Sequence, residues 1–359
     1  MVVRLGKLLA GMRPARRTRD AVLLARIDRC SQLLNARSQP NLNALTELVR
    51  HIEPVSLNIK QMGYDLARRL AAALPPPTDT EARHVGLASK LSTQADIESD
   101  WVAHWCGALR IPVVYHRKIW ELGYVLQAIH EGGGMREGAR GLGFGCGTEP
   151  IGSFLAARGV SVLATDLAAS EAASIGWAAS DQHTDHLDKA YHAHLVDRAT
   201  FDRLVRLRFI DMNAIPNDLR DFDFCWSVCA FEHLGSIERG LRFVENAMRT
   251  LRPGGIAVHT TEYNIREDGR TIDNWPTVLF QRRHVVALAR RLEAQGHEVA
   301  PFDFDLGDGP MDRFIDLPPY HYDLPQLMSD WLGNPAHLKV AIDGFAATCF
   351  GIVVRKGGG

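Results

Sequence analysis

Four side chains suited to acid–base chemistry follow or end two apolar segments of the chain: Glu232, His233, His259 and Glu262. A neutral imidazole titrates near working pH, so His233 is the first candidate for a base that removes a proton from a hydroxyl acceptor. Glu232, His259 and Glu262 are further candidates for contacts with such an acceptor. For His233, a histidine that caps the following helix or bonds a carbonyl group is the alternative interpretation.

A glycine-rich turn lies where a predicted strand passes into a predicted helix, with the sequence Gly141-Leu-Gly-Phe-Gly-Cys-Gly-Thr-Glu-Pro150. Because glycine has no Cβ, it allows a tight turn and a close approach of the backbone to a ligand. Asp166 ends the next predicted strand, nineteen residues after Gly147, and a carboxylate there can accept hydrogen bonds from both hydroxyls of a ribose. Together the two features predict a nucleoside-containing cofactor. The fingerprint GxGxxG of nicotinamide enzymes is not met, which disfavours a dehydrogenase.

Seven short apolar segments are predicted to be the strands that position these side chains. They are Ala139–Phe144, Val160–Thr165, Leu204–Ile210, Phe222–Val228, Gly255–Thr260, Glu298–Phe304 and Cys349–Val354. Helical segments separate the first five, a pattern typical of a parallel sheet. We therefore expect a Rossmann-like α/β fold with a seven-stranded, mostly parallel sheet and flanking helices. A proline-rich insertion at 306–347 precedes the seventh strand, and it is a candidate lid.

The N-terminal part of the chain is predicted to be separate from this α/β domain. Residues 1–77 form a basic helical region, 78–111 a linker or lid segment, and 112–359 the α/β domain. Residues 1–50 contain ten Lys or Arg against three acidic residues. Such a surface can touch an anionic membrane, although a solvated basic face is the default interpretation. Nucleic acid is disfavoured as a partner, because the net charge is −1 and residues 1–60 contain no aromatic side chain for base stacking.

The cysteines and the hydropathy of the chain indicate the cellular compartment to expect. The six cysteines show no paired spacing, and no apolar run approaches the roughly 20 residues that span a bilayer. The first residues lack the apolar run of a signal peptide. We expect a cytoplasmic protein without a transmembrane segment, and a homo-oligomer is compatible with the sequence.

Four motifs, in order, resemble those of class I methyltransferases that use S-adenosylmethionine. Phe144-Gly145-Cys146-Gly147-Thr148 resembles motif I, and Asp211-Met212 follows the third strand, where members of the family often hold adenine. Residues 222–234 resemble the fourth-strand motif, and Leu251-Arg-Pro-Gly-Gly255 resembles the turn before the fifth strand. The chain is similar to the type 11 and type 23 methyltransferases, and within them to a bacterial subgroup of unassigned substrate. The resemblance also implies that the seventh strand is antiparallel to the others.

The resemblance implies S-adenosylmethionine as the cofactor and a set of residues that bind it. They are Gly143, Phe144, Gly145, Cys146, Gly147, Glu149, Asp166, Leu167, Asp211, Met212 and Arg117. The family usually has an acid where Gly143 stands and a glycine where Glu149 stands. Support of the methionine end can therefore pass to Glu149 or to the preceding helix. Arg117 is the candidate on that helix, because a guanidinium pairs with a carboxylate through two parallel hydrogen bonds; an exposed helical arginine is the alternative.

The predicted activity is methyl transfer to a hydroxyl of a small molecule or glycan. Two alternatives stay open: a methyltransferase fold that serves as a binding or scaffold module without turnover, and a metal-assisted RNA 2′-O-methyltransferase. Some RNA-terminal enzymes resembling the fourth-strand motif bind metal through an ExxEH set. Here Cys229 stands at the first Glu position, so we expect no metal at these residues.

Overall fold

The computed structural model describes residues 21, 23–24, 52–76, 81–168 and 186–358. Most of the predicted N-terminal helical region lies outside these residues. The chain divides into two compact units, 1–61 and 62–359, and helix α1 (Ile52–Ala73) runs across the boundary. None of the described helices has the length and apolar character needed to cross a bilayer.

The larger unit alternates strands and helices as predicted. Its strands are β1 (Ser89–Leu91), β2 (Arg140–Phe144), β3 (Ser161–Asp166), β4 (Val205–Phe209), β5 (Phe222–Val228), β6 (Leu251–Asn264), β7 (Glu298–Val299), β8 (Phe302–Asp303), β9 (Ile315–Asp316), β10 (Lys339–Ile342) and β11 (Phe345–Arg355). The α-helices after α1 are α2 (Gln94–Ile97), α3 (Asp100–Leu109), α4 (Arg117–Glu131), α5 (Ile151–Ala156), α6 (Arg198–Leu204), α7 (Ile237–Ala247), α8 (Arg282–Ala294), α9 (Pro310–Arg313) and α10 (Gln326–Leu332).

One twisted sheet connects these strands in the order β4-β3-β2-β5-β6-β11-β1-β8. The five strands from β4 to β6 are mutually parallel, and β11 pairs antiparallel with β6 along nearly its whole length. The predicted Rossmann-like α/β class and the antiparallel last strand are confirmed, but the described residues form an eleven-stranded sheet instead of the seven strands expected, with β7, β9 and β10 off this path. Because the order reverses between β2 and β5, the carboxyl ends of these neighbouring strands border a crevice, where such sheets bind ligands.

The sixth predicted strand differs from the single segment expected at Glu298–Phe304. It forms two short pieces: β7 pairs antiparallel with β11, and β8 pairs in parallel with β1. Pro301 lies between the pieces, and proline has no N–H to donate to a continuous ladder. The structure therefore adds β1, from the segment predicted as a linker or lid (78–111), to the sheet. The division into three domains stays a prediction.

The insertion at 306–347 contains defined elements instead of an irregular run. It includes α9, β9, α10 and β10, and β10 pairs with β11 through a two-residue turn at Asp343-Gly344. Both turn residues have positive φ, 47° and 82°, as expected for the Asp-Gly hairpin turn. A role as a lid stays a prediction.

Helix α4 begins at Arg117 because His116 caps it. The His116 Nδ1 atom accepts a hydrogen bond from the Lys118 N–H at 3.0 Å, which satisfies a donor that has no partner within the helix. Residues 120–129 of α4 are all buried, and the helix packs against β5, β6 and β11. The cap therefore places the first turn of α4, with its charged side chains, near the carboxyl ends of the central strands.

A close contact between β11 and α4 gives a test of this packing. A Cβ added at Gly351 would overlap the ring of Tyr124, which is fully buried and stacks on Trp120. Gly351→Ala should lower the free energy of unfolding by about 1–3 kcal/mol, because an overpacked core must shift. In the control Gly152→Ala, the new Cβ would lie 3.8 Å from its nearest neighbour and should not destabilise the protein. Equal urea midpoints for the two variants would show that the contact does not constrain the core.

Candidate functional site

A cavity of about 430 Å³ lies at the carboxyl ends of β2, β3 and β5 and beside the start of α4. Four stretches of chain form its wall: the glycine-rich turn, the end of β3, the segment after β4 and the segment after β5. Residues from these stretches that line it are Gly145, Gly147, Glu149, Asp166, Leu167, Asp211, Met212, Asn213, Cys229, Ala230, His233 and Leu234. Seven of the eleven residues predicted to bind the cofactor are in this lining; the other four are Gly143, Phe144, Cys146 and Arg117.

The glycine-rich turn is held by hydrogen bonds to β3. Gly145 and Gly147 have φ of 58° and 52°, which glycine adopts without the cost that a Cβ brings. The Cys146 N–H donates to the Thr165 carbonyl at 3.0 Å, and the Thr165 hydroxyl donates to the Gly143 carbonyl at 2.8 Å. The turn therefore has a fixed shape with bare backbone facing the cavity.

Asp166 joins the end of β3 to this turn. One carboxylate oxygen accepts the Gly147 N–H at 3.2 Å, and the other accepts the Leu167 N–H at 2.8 Å. Since a carboxylate oxygen can accept more than one hydrogen bond, the same group can also receive ribose hydroxyls from the cavity side. The space and the acceptor both fit a nucleoside cofactor.

Gly143, Phe144 and Cys146 support the turn without lining the cavity. A Cβ at Gly143 would meet Cys146 Sγ and would lie 2.6 Å from the Trp226 ring. Trp226 is fully buried on β5. It therefore fills the space where family members usually place an acid, and this accounts for the glycine in the sequence.

The segment after β4 forms the wall next to Asp166, since the Ile210 N–H donates to the Asp166 backbone carbonyl at 2.9 Å. The Asp211 carboxylate accepts the Asn213 N–H at 2.8 Å and caps a 3₁₀ helix at Met212–Ala214. The cap orients Asp211 and Met212 along the cavity, and the Met212 thioether gives this wall an apolar, polarisable surface.

The first turn of α4 brings Lys118, and not Arg117, to the cavity lining. Arg117 forms an ion pair with Glu262 of β6. Lys118 Nζ lies 3.0 Å from Glu121 and 3.6 Å from Glu149. Sequence reasoning missed Lys118. The sequence contained a clue to Lys118. Consecutive side chains on a helix point in different directions, so only one of Arg117 and Lys118 can face a given site.

Burial and these ion pairs set the charges at the end of the cavity next to α4. Burial raises the pKa of Glu149 to about 8, because it outweighs the nearby Lys118. Burial by itself would raise the pKa of Glu121. The positive charges of Lys118 and Arg117 have the larger effect and lower this pKa to about 2. Near neutral pH, Glu121 is thus an anion and Glu149 is largely protonated.

His233 is the only one of the four predicted acid–base residues in the cavity lining. Its Nδ1 lies 3.1 Å from the Pro276 carbonyl and 3.0 Å from the Thr277 hydroxyl. A carbonyl oxygen only accepts, so Nδ1 carries the proton of the neutral ring and Nε2 carries the lone pair. Burial lowers the pKa of His233 to about 4, which keeps the ring neutral at working pH.

Glu232, Glu262 and His259 are buried next to the cavity and are absent from its lining. Glu232 accepts a hydrogen bond from the Thr261 hydroxyl at 3.1 Å, and burial and the charge of Glu262 raise its pKa to about 8. The His259 Nδ1 atom and the Ser227 hydroxyl form a hydrogen bond of 2.8 Å in which either can be the donor. The His259 ring also packs edge-on against the rings of Phe231 and Phe243.

Comparison with known proteins agrees with this geometry. A family model described as "Methyltransferase domain" matches residues 142–259, which run from the glycine-rich turn to β6. The match supports a class I S-adenosylmethionine-dependent methyltransferase. The match also supports S-adenosylmethionine as the cofactor. No curated protein matches the chain.

Solved structures of methyltransferases are similar to this chain at low sequence identity. One is a putative sarcosine dimethylglycine methyltransferase from Galdieria sulphuraria, with 16% identity, a TM-score of 0.41, and coverage of 67% of this chain and 88% of that one. Another is a methyltransferase from Methanosarcina mazei, with 13% identity, a TM-score of 0.38, and coverage of 64% and 96%. A third is phosphoethanolamine N-methyltransferase 2 from Haemonchus contortus, with 16% identity, a TM-score of 0.38, and coverage of 65% and 52%.

Two glycines with similar positive φ angles provide a test of the cavity. Gly145 and Gly133 have φ of 58° and 71°. A Cβ at Gly145 would lie 2.9 Å from Ala230 Cβ and 3.5 Å from Met212 Sδ, both in the cavity lining, whereas a Cβ at Gly133 would meet nothing within 4 Å. Gly145→Ala should therefore weaken binding of S-adenosylhomocysteine by more than about tenfold, or about 1.4 kcal/mol, and Gly133→Ala should not. Calorimetric titration of both proteins measures this. Equal affinities would place the cofactor elsewhere.

Proposed function

We propose that the chain transfers the methyl group of S-adenosylmethionine to a hydroxyl of a small molecule or glycan. The observation that carries this proposal is the position of His233, a neutral imidazole in the wall of the cavity that the glycine-rich turn and Asp166 border. A hydroxyl acceptor must lose a proton as it is methylated, whereas the methyl donor needs no acid or base.

In this proposal each wall of the cavity holds one part of the cofactor. Asp166 receives the ribose hydroxyls, and Asp211 and Met212 face the adenine. Lys118 and Glu149 face the amino acid end: the Lys118 ammonium can pair with the cofactor carboxylate, and the largely protonated Glu149 can accept a hydrogen bond from the cofactor ammonium. Lys118 takes the role that the sequence suggested for Arg117.

The bound cofactor supplies a methyl group already activated by a positively charged sulfur. The residues of the chain then align the acceptor and exclude water. His233 Nε2 accepts the hydroxyl proton while Nδ1 keeps its hydrogen bond to Pro276, which holds the tautomer. Glu262 and Arg117 pair behind this wall, and with Glu232 they act as positioning residues. His259, enclosed by Phe231 and Phe243, has no direct role.

The cofactor assignment has its own test at Asp166. Asp166→Ala should weaken binding of S-adenosylhomocysteine by more than about tenfold, because a charged acceptor of the ribose hydroxyls is removed. Asp218→Ala is the matched control, since Asp218 pairs with Arg208 and is not in the cavity lining. Titration calorimetry gives both affinities. Absence of binding heat even in the unaltered protein would favour a scaffold without turnover.

The base assignment predicts a split between binding and turnover. His233→Ala should lower kcat for a hydroxyl acceptor by about 10²–10⁴-fold, the usual contribution of a general base, and should leave the affinity for S-adenosylhomocysteine unchanged. A lowered pKa means that the neutral form prevails above about 4 and is lost as the pH falls through that value. The kcat of the unaltered enzyme should thus be flat from about pH 6 to 7, above the pKa of His233 and below the values of about 8 for Glu149 and Glu232.

Phenols, sugars and primary amines in one methyl-transfer assay identify the acceptor class. Turnover of amines that His233→Ala does not reduce would contradict the hydroxyl assignment, while leaving methyl transfer itself intact. Unchanged kcat with a hydroxyl acceptor would remove His233 from the mechanism.

A further inference from the structure

Three buried side chains with metal-binding atoms meet beside the cofactor cavity. Glu121 comes from α4, Cys229 from the end of β5 and Cys349 from β11, and their ligand atoms lie within 4.8 Å of one another. Cys349 Sγ is 2.6 Å and Cys229 Sγ is 3.2 Å from the same oxygen of Glu121, and the two sulfurs are 3.5 Å apart. Both thiols thus direct their protons at one carboxylate oxygen.

We propose that Glu121, Cys229 and Cys349 form a binding site for a thiophilic divalent cation of the Zn²⁺ class, with one coordination position on the cavity side. Zn²⁺ binds sulfur at about 2.3 Å and carboxylate oxygen at about 2.0–2.2 Å, so tetrahedral coordination sets the sulfurs about 3.8 Å apart and each about 3.5 Å from the oxygen. The sulfur–sulfur and Cys229–Glu121 distances are already close to these values. The Cys349–Glu121 pair has to open by about 1 Å.

The charge balance of the buried site favours this exchange. Binding forms two zinc–sulfur bonds and releases the two thiol protons to solvent, so one divalent cation replaces two protons and the net charge stays constant. Arg117 and Lys118 therefore keep their partners, Glu262 and Glu121. A buried charge without a counter-charge would be costly, and none is created.

Neighbouring groups are placed to orient the ligands. The Thr260 hydroxyl donates to Cys229 Sγ at 4.0 Å, and Lys118 Nζ lies 3.0 Å from the second oxygen of Glu121. Such outer contacts fix the orientation of ligands and tune their affinity.

Cys229 links the cluster to the cavity. It lines the cavity, and its φ of 45° is a strained value for a residue with a side chain. Because Cys229 lines the cavity, a cation can enter the site from the cavity. No fourth His, Cys, Asp or Glu completes the cluster among the residues described, so the remaining position faces the cavity and takes a water or a ligand bound there.

Cobalt is the probe for this site, because Co²⁺ bound to thiolate gives a charge-transfer absorption band in the near ultraviolet that nitrogen and oxygen ligands do not give. Full-length, untagged protein titrated with Co²⁺ should show the band at one equivalent, and Zn²⁺ should abolish it by displacement. Cys229→Ser and Cys349→Ser should each lose the band at one equivalent of Co²⁺ and weaken Zn²⁺ binding by more than about a hundredfold. Glu121→Gln should weaken Zn²⁺ binding and keep the band at higher Co²⁺ concentration.

The matched control is Cys106→Ser, a buried cysteine of α3 outside the cluster. It should bind both metals as the unaltered protein does. Circular dichroism shows that each variant is folded. Absence of the band from the unaltered protein, while it is folded and binds S-adenosylhomocysteine, overturns the proposal, and so does an undiminished band at one equivalent of Co²⁺ in either cysteine variant. Neither result depends on the acceptor or on His233.

Discussion

The first turn of α4 places two positive charges inside the protein, and the arrangement of the site depends on how they are neutralised. Arg117 and Lys118 are adjacent in sequence but face different partners, Glu262 on β6 and the pair Glu121 and Glu149. Removing a charge from water is costly unless an opposite charge and hydrogen bonds replace the solvent. The carboxylates are therefore part of the architecture, and they tie α4 to the sheet next to the cavity. The same constraint decides which of the two cations can reach a cofactor.

The other fixed feature is the shape of the glycine-rich turn. Hydrogen bonds from the turn to Thr165 and Asp166 hold it at the end of β3, and Trp226 presses against it from β5. Trp226 accounts for the missing acid at Gly143, because no side chain fits there. In the proposed mode of binding, Lys118 of α4 and Glu149 support the amino acid end of the cofactor instead. A departure from the usual family sequence is thus compensated by packing and by charge on a neighbouring element.

The cavity brings three chemical environments together. Asp166 and the turn offer hydrogen-bonding groups to a nucleoside, His233 offers a neutral base, and Cys229 borders a pair of thiols with a shared carboxylate. Burial sets the protonation of several of these groups. It keeps His233 neutral and Glu149 largely protonated, while Lys118 and Arg117 keep Glu121 ionised. The site therefore contains acids, bases and cations whose states differ from those in water, as is typical of sites that bind and transform ligands.

The fold class, the glycine-rich turn, Asp166 at the end of β3 and the parallel central strands could be predicted from the sequence. These follow from local patterns: apolar segments alternate with helices, and glycine occurs where the backbone must turn sharply. The sequence also placed His233 at the end of β5. Which side chains reach the cavity depends on tertiary packing, which the sequence patterns did not predict. Lys118 replaces Arg117, His259 is enclosed by aromatic rings, and Glu121 meets Cys229 and Cys349 from three distant parts of the chain. The addition of β1 to the sheet and the break at Pro301 were likewise decided by pairing partners. Such outcomes depend on the directions of side chains and on contacts between remote segments, which no local spacing encodes.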